Sequence, residues 1–479
     1  MSTRYQDWLQ SAGSARVRES ARMEIPRILS PAELQSLWYS GEFPSLLGAT
    51  DGTCVEVIHF GRWNPGHGPT FVDAQLSFDG QPPIQGGIEV HPDPLHWHRG
   101  ANESADHNRT LLFVTSGSGV GGAHFSPSAA PATTLEGSLV REIRLDITAW
   151  EFAPAPPTPR GCHAPLAGLP LEESASLLEM AAQYRLSRKA ARLQRLAQRF
   201  GPEEGLYHAI AEALGYRHNK VPFRILAQRF PLELIRRSPC PPEPFLFAGS
   251  GFLPSQDLSA LEPDTRSYLR QIWQLWWPHR ADFERLAFDH DDLALWQLHG
   301  ARPVNHPHRR LAALAEIVRN WPIFHTLARE GNIVALRNFF THLRHPYWDH
   351  HYTLTSKASR SRMALIGASR VHDILANIAF PLALPKFPAK WQEFRKLTIG
   401  ATNQKLDLAI QRLWGENASF PKAFWKRTVH QQGLLQLFDD CCAAASYDCE
   451  RCALNHRVAS HQNHTGCRAG SDHDNTERR

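Results

Sequence analysis

The apolar residues of this chain change their period once, and that change divides it. Between Thr53 and Ile147 they recur at every second position, in the short runs TCVEVIHF, FVDAQLSF, GGIEVH, TLLFVT and LVREIRLDI. Alternation of this kind, bounded by clusters of Gly, Pro and Asn, specifies half-buried strands. From Leu171 almost to the end the spacing is three or four, as in Leu171 to Phe200, Glu203 to Leu214, VPFRILAQRFPLELI, HRRLAALAEIVRNW and AFWKRTVHQQGLLQLFDDCC. That spacing specifies helices. Between the two regions, APAPPTPRGCHAPLAGLP keeps no period and reads as a linker. Ahead of the strands, SPAELQSLWYSGEF puts Ser30 at an N-cap and Pro31 at the first helical position, so one or two helices precede the sheet.

The expected architecture is an α/β (α+β) amino-terminal domain with a mixed sheet over residues 1–152, then a linker over 153–170. A mainly α-helical domain follows over 171–454, with a disordered polar tail over 455–479. A length of 479 residues is compatible with this division. No apolar run is long enough to cross a bilayer, and MSTRYQDWLQ lacks the regions of a secretory signal, so the expected location is cytoplasmic. Eight cysteines in such a chain are too few for a disulfide framework and point to a reducing compartment. The net charge of +5 permits a polyanionic partner without requiring one.

The segment FVDAQLSFDGQPPIQGGIEVH reads as a β-hairpin with its tip around Asp79 to Pro83. Val72, Ala74, Leu76 and Phe78 are expected to face the core, continued by Ile84, Ile88 and Val90 in the second strand. Glu89 and His91 then share the polar face. With the hairpin centred near Gln81, Asp73 lies opposite Glu89, with Cβ atoms about 5 Å apart. Two opposed carboxylates repel unless a cation neutralises them, so this face is either simply solvated or a site for a divalent ion.

The stretch GRWNPGHGPTFVDAQLSFDGQPPIQGGIEVHPDPLHWH resembles an uncharacterised bacterial family of unknown function. That family typically reads Gly-Pro-Asp-Phe, an alternating strand, a Gly-rich turn, then Glu-Ile-His and a Trp. The matching positions are Gly61, Asn64, Gly68, Pro69, Phe71, Ala74, Gly80, Gly86, Glu89, His91 and Trp97. LGYRHNKVPFRILAQRFP, FLFAGSGFLP, RPVNHPHRRLAALA and SRVHDILANIAFPL look like further landmarks, so the resemblance runs nearly full length. A Pro-Asp opening one strand and a Glu-x-Lys-like triplet in the next are similar to the core of the PD-(D/E)XK nuclease superfamily. The resemblance implies a metal-dependent phosphodiesterase or nuclease acting on nucleic acid, using Mg²⁺ or Mn²⁺. Its metal ligands here would be Asp73 and Glu89, and His91, at the Lys position, would orient or activate water. The chain departs from the pattern at Thr70, where the family has Asp, and at His96, where it has the Asp before the Trp. The alternative is a non-enzymatic nucleic-acid-binding or scaffold protein.

Other groups leave alternatives open. His59, His67, His91, His96, His98 and His107 lie in one region and, with Glu89, are donors for zinc or manganese, yet no spacing singles out a set. Cys442, Cys449 and Cys452, with Cys441 and Cys467 near them, are either ligands of Zn or an Fe–S cluster or ordinary thiols. Arg185, Arg188, Lys189, Arg192, Arg195 and Arg199 recur at helical spacing, as a phosphate-binding stripe or a solvated face. Arg302, Arg309 and Arg310, with Asn305, stand beside a helix start that either helps to bind an anion or, with Pro307 and Asn305, is simply a helix entry. SGSGVGG is followed by no Lys-Ser/Thr, so it is not a phosphate-binding loop.

Overall fold

A computed structural model of the chain describes residues 3–11, 29–41, 43, 46–64, 66–93, 95–97, 105–117, 139–146, 164–216, 218–253, 258–259, 261–298, 303–399, 404–415, 420–443 and 454. Two helices, α1 (Thr3–Ser11) and α2 (Pro31–Ser40), precede seven strands. These are β1 (Leu46–Gly48), β2 (Cys54–His59), β3 (Arg62–Trp63), β4 (Phe71–Phe78), β5 (Ile84–Val90), β6 (Thr110–Gly117) and β7 (Arg141–Asp146). The first long helix of the remainder is α3 (Leu171–Phe200), followed by α4 (Pro202–Leu214) and α5 (Lys220–Arg229). The periods of the sequence therefore translate into a mixed sheet followed by a mainly helical part. Among the described residues no helix is long and apolar enough to cross a membrane.

The sheet has the order β1-β2-β4-β5-β6-β7, with β3 paired to β4; β1 to β5 are antiparallel to their neighbours, whereas β5, β6 and β7 run parallel. Helix α2 starts as its residues dictate. Ser30 accepts the Glu33 N–H while Glu33 bonds back to the Ser30 N–H, a capping box that satisfies two end groups. Leu34, Leu37 and Trp38 of α2 pack on Val55, Val57, Phe71, Ala74, Leu76, Ile88, Val90, Leu112 and Val114, the apolar face of the sheet. Ile84, expected in that set, is 46% exposed at the hairpin end.

The alternation of β4 is interrupted. Phe71 pairs with Ile88 but Ala74 pairs with Gly86, so three steps on one strand match two on the other. The extra residue is a β-bulge in which Asp73 has φ +60°, a conformation Asp tolerates better than most side chains. Phe71 and Ala74 both turn inward as a result, while Val72 is only half-buried.

The helical part holds two further cores and docks against the sheet layer. Arg199 of α3 lies over the Phe60 ring at 3.7 Å, Tyr39 stacks on Phe200 at 5.3 Å, and Arg224 of α5 donates to Ser36. Helix α1 packs with the helical part: Tyr5 is buried among Leu177, Leu178 and Leu437, and its hydroxyl donates to Asp440. Of the expected linker, residues 164–170 are described, and there Leu166 is buried and donates its N–H to the Leu413 carbonyl. The rest of it lies outside the described residues, as does the tail beyond residue 454.

Candidate acid–imidazole site

Glu89 sits on β5 between β4 and β6, on the sheet face opposite α2. Its in-register neighbour on β6 is Phe113, which packs with Trp97 and Val140 in a small apolar cluster on that second face. Glu89 is only 7% exposed, so its carboxylate oxygens need partners from the protein. Oε2 accepts the Thr70 backbone N–H at 2.8 Å and the Thr70 hydroxyl at 3.1 Å. Oε1 faces His96 Nε2 at 3.4 Å.

Small residues make this approach feasible. A Cβ on Gly87 would come within 2.4 Å of Pro69 Cγ, so the absent side chain is what lets Pro69 and Thr70 lie along β5. On the other side of that turn, Gly68 has φ +100°, and a Cβ there would meet the Asp106 carbonyl at 2.6 Å.

Three imidazoles gather around Glu89. The His91 and His96 rings stack at 3.8 Å between centroids, 17° from parallel. His91 Nδ1 accepts the Asp93 N–H at 3.1 Å, which leaves the ring proton of the neutral form on Nε2. Burial, then the neighbouring His96, hold the His91 pKa below its ordinary value, outweighing the pull of Glu89. His107 is likewise shifted down by burial, against the attraction of Glu89. It meets Trp97 edge-on at 5.7 Å, and its Nδ1 is buried without a hydrogen-bond partner. The arrangement is an oriented carboxylate with three imidazoles around it, two of them, His91 and His107, biased by burial toward the neutral form.

The structure brings together Glu89 and His91 of the expected residues and adds His96 and His107. It separates Asp73. The strands pair about Gly80 and not Gln81, which takes Asp73 out of register with Glu89; the bulge shifts the pairing by one more residue and gives the position opposite Glu89 to Thr70, while Asp73 forms an exposed ion pair with Arg62 at 2.7 Å. Among the described residues no group of three or more His, Cys, Asp or Glu side chains is placed to hold a metal ion. The donor set at Glu89, one carboxylate with imidazoles, is unlike the oxygen-rich set that Mg²⁺ takes.

The expected basic stripe of α3 is largely turned into the protein. Arg185 pairs with Asp439 at 2.8 Å, Lys189 donates to Asn377 and Gln432, and Arg192 pairs with Glu212 at 2.5 Å. Arg188 and Arg195 stay exposed. Arg309 is fully buried, donating to the Trp348, His351 and Ala364 carbonyls, so its guanidinium is committed to the backbone and not offered to a phosphate chain. Cys442 lies in the last helical segment, Asp439–Ala443; Arg302, Cys449, Cys452, Cys467 and His98 lie outside the described residues.

A family model described as "Protein of unknown function (DUF2851)" matches residues 32–399, spanning the sheet, the Glu89 site and most of the helical part. No curated protein and no solved structure matches the chain.

Proposed function

Since the chain belongs to the family described as "Protein of unknown function (DUF2851)", its activity has to be read from its own residues, and we propose a phosphodiesterase or nuclease acting on nucleic acid, centred on Glu89. One observation carries the reading. Pro69-Thr70, leading into β4, and Glu89-Val90-His91, at the end of β5, are the two pieces that resemble a nuclease core, and they lie side by side, joined by the 2.8 Å bond from Thr70 to Glu89.

In this reading Glu89, fixed by Thr70 through Oε2, presents Oε1 to a water as a general base. His91, with its Nδ1 occupied, orients the water or phosphate by donating from Nε2, and so acts by orienting and not by abstracting a proton. His96 stands 3.4 Å from the carboxylate and would relay or stabilise the proton. Exposed Arg188 and Arg195 are what the α3 stripe retains for a phosphate backbone. Asp73 and Glu89 do not form the two-carboxylate Mg²⁺ or Mn²⁺ centre expected from the resemblance, and no step here passes through a metal.

The test is a cleavage screen on single- and double-stranded DNA and RNA, run with Mg²⁺, with Mn²⁺ and with chelator. Cleavage that falls by about 10²-fold or more in Glu89→Gln supports the reading. No cleavage by the parent protein, or cleavage indifferent to Glu89→Gln, overturns it. A second reading, a nucleic-acid-binding protein without catalysis, draws support from Thr70: it is uncharged and already saturates one carboxylate oxygen. Binding without cleavage is its outcome.

A further inference from the structure

The second landmark region of the sequence, far from Glu89 in the chain, concentrates buried positive charge. Arg309 and Arg310 occupy the first turn of the helix Pro307–Arg319 and are 0% and 2% exposed. Arg370, on the helix Ala368–Ile374, is 8% exposed. Arg309 and Arg310 grip successive carbonyls of one strand of chain, Ala364 and Leu365, which leads into the helix that carries Arg370.

Their partners do not balance their charge. Arg309 donates to three backbone carbonyls, and Arg310 to the Leu365 carbonyl and the Asn305 side chain. Arg370 meets Asp373 at 3.3 Å, while Asp349, the carboxylate that attracts Arg309, is bonded to Arg362 at 2.7 Å. The Nε atom of each of the three arginines is buried without a hydrogen-bond partner. Burial of cations with so little countercharge is costly unless an anion completes the set. In keeping with this, burial and the repulsion of Arg370 and Arg309 bring the Arg310 guanidinium down to about 9, so it still carries its charge at neutral pH.

We propose that Arg310 and Arg370, backed by Arg309, form a binding site for a phosphate-type oxyanion at the start of the helix Pro307–Arg319. Planar guanidinium forks match a tetrahedral oxyanion in paired hydrogen bonds, and the helix start adds the positive end of its dipole. Arg370, the most exposed of the three at 8%, lies beneath Tyr216. That ring is 43% exposed and lies 3.9 Å from the Arg370 guanidinium, so one ring face rests on the arginine. The ligand is either free phosphate or a phosphate ester such as the end of a nucleic-acid strand. The site is independent of the Glu89 reading.

Inorganic phosphate, titrated calorimetrically into the full-length protein in chloride buffer at constant ionic strength, tests the site. Saturable binding is expected, weakened about tenfold or more in Arg370→Gln. The absence of saturable binding by the parent protein overturns the proposal, as does parental affinity in a folded Arg370→Gln. If Arg370→Gln does not fold, Arg370→Lys keeps the charge and loses the fork, and parental affinity in it is equally fatal. A 5′-phosphorylated oligonucleotide and its 5′-hydroxyl counterpart are compared as competitors for bound phosphate. Displacement by the phosphorylated strand alone assigns the site to strand ends, and displacement by neither assigns it to free phosphate.

Discussion

Thr70 and Glu89 face each other across β4 and β5, the threonine giving both its N–H and its hydroxyl to a single carboxylate oxygen. The same hydroxyl also accepts the Val90 N–H at 3.2 Å. Thr70→Val keeps the shape and removes the hydroxyl, leaving a buried carboxylate with one donor fewer. A loss of about 1–3 kcal/mol is expected in urea unfolding. An unchanged midpoint would mean the hydroxyl contributes nothing to holding Glu89.

The close approach that produces this contact depends on Gly87. A methyl group there would overlap Pro69, whose ring is fixed in the chain immediately before Thr70, so the strain passes directly to the threonine. Gly87→Ala should therefore cost about 1–3 kcal/mol and also reduce any Glu89-dependent cleavage, because Thr70 is displaced from the carboxylate. Gly80→Ala is the control: its Cβ would meet nothing within 4 Å, so its effect is confined to the backbone of an exposed turn. Equal activity losses in the two variants would contradict the link through Pro69.

The elements were legible where one physical signal dominates. Helix α3 begins and ends at Leu171 and Phe200 as its periodicity requires, and α2 begins at its capping box. The bulge was not legible. Its residues read as uninterrupted alternation, and nothing in FVDAQLSF announces that Asp73 takes a left-handed backbone conformation, yet that bulge sets Thr70 in place of Phe71 opposite Glu89; Asp73 had already left that position because the strands pair about Gly80 and not Gln81. Spacing found Glu89 and His91 because a strand fixes their common face. His96 comes from a turn and His107 from the end of the short 3-10 helix Ala105–His107, elements too short for spacing to give a direction. The basic stripe on α3 failed for another reason: periodicity defines a face but not what covers it. Here Gln432, Gln436 and Asp439, polar residues at and just beyond the helix Thr428–Phe438, receive Arg185 and Lys189.

His430 provides a pH-dependent test of the helical part. It is 1% exposed, its Nδ1 lies 2.8 Å from the Phe424 carbonyl as donor, and its Nε2 is buried without a partner. Burial lowers its pKa, more than the Phe424 carbonyl raises it. The folded state thus takes up this proton at lower pH than the unfolded chain does. The stability that neutral His430 supplies is fully present above the ordinary histidine pKa of about 6.5 and declines as pH falls below it, down to the lowered folded value. His430→Asn, whose amide can replace Nδ1 as donor, should flatten part of the decline in urea midpoint between pH 7.5 and 5.5. An identical decline in the variant would assign the acid sensitivity to other groups.

The strongest discrimination between an acid–imidazole site and a two-carboxylate metal centre comes from restoring the residue that the nuclease resemblance places at Thr70. Thr70→Asp would set a second carboxylate against Glu89, at the position just before β4 where the backbone N–H already points at Oε2. In chelator the two anions repel in a nearly buried setting, and a loss of about 1–3 kcal/mol is expected. If this face has the geometry of a divalent-ion site, Mn²⁺ recovers that loss by binding between the carboxylates, with a rise in melting temperature that the parent protein does not show. Recovery that also requires Glu89, and so disappears in Thr70→Asp/Glu89→Gln, would locate the ion at this pair. A Thr70→Asp protein that stays destabilised at all Mn²⁺ concentrations would mean that the strands hold the two side chains in the wrong geometry for an ion. The proposed chemistry would then have to rest on Glu89 and its imidazoles alone.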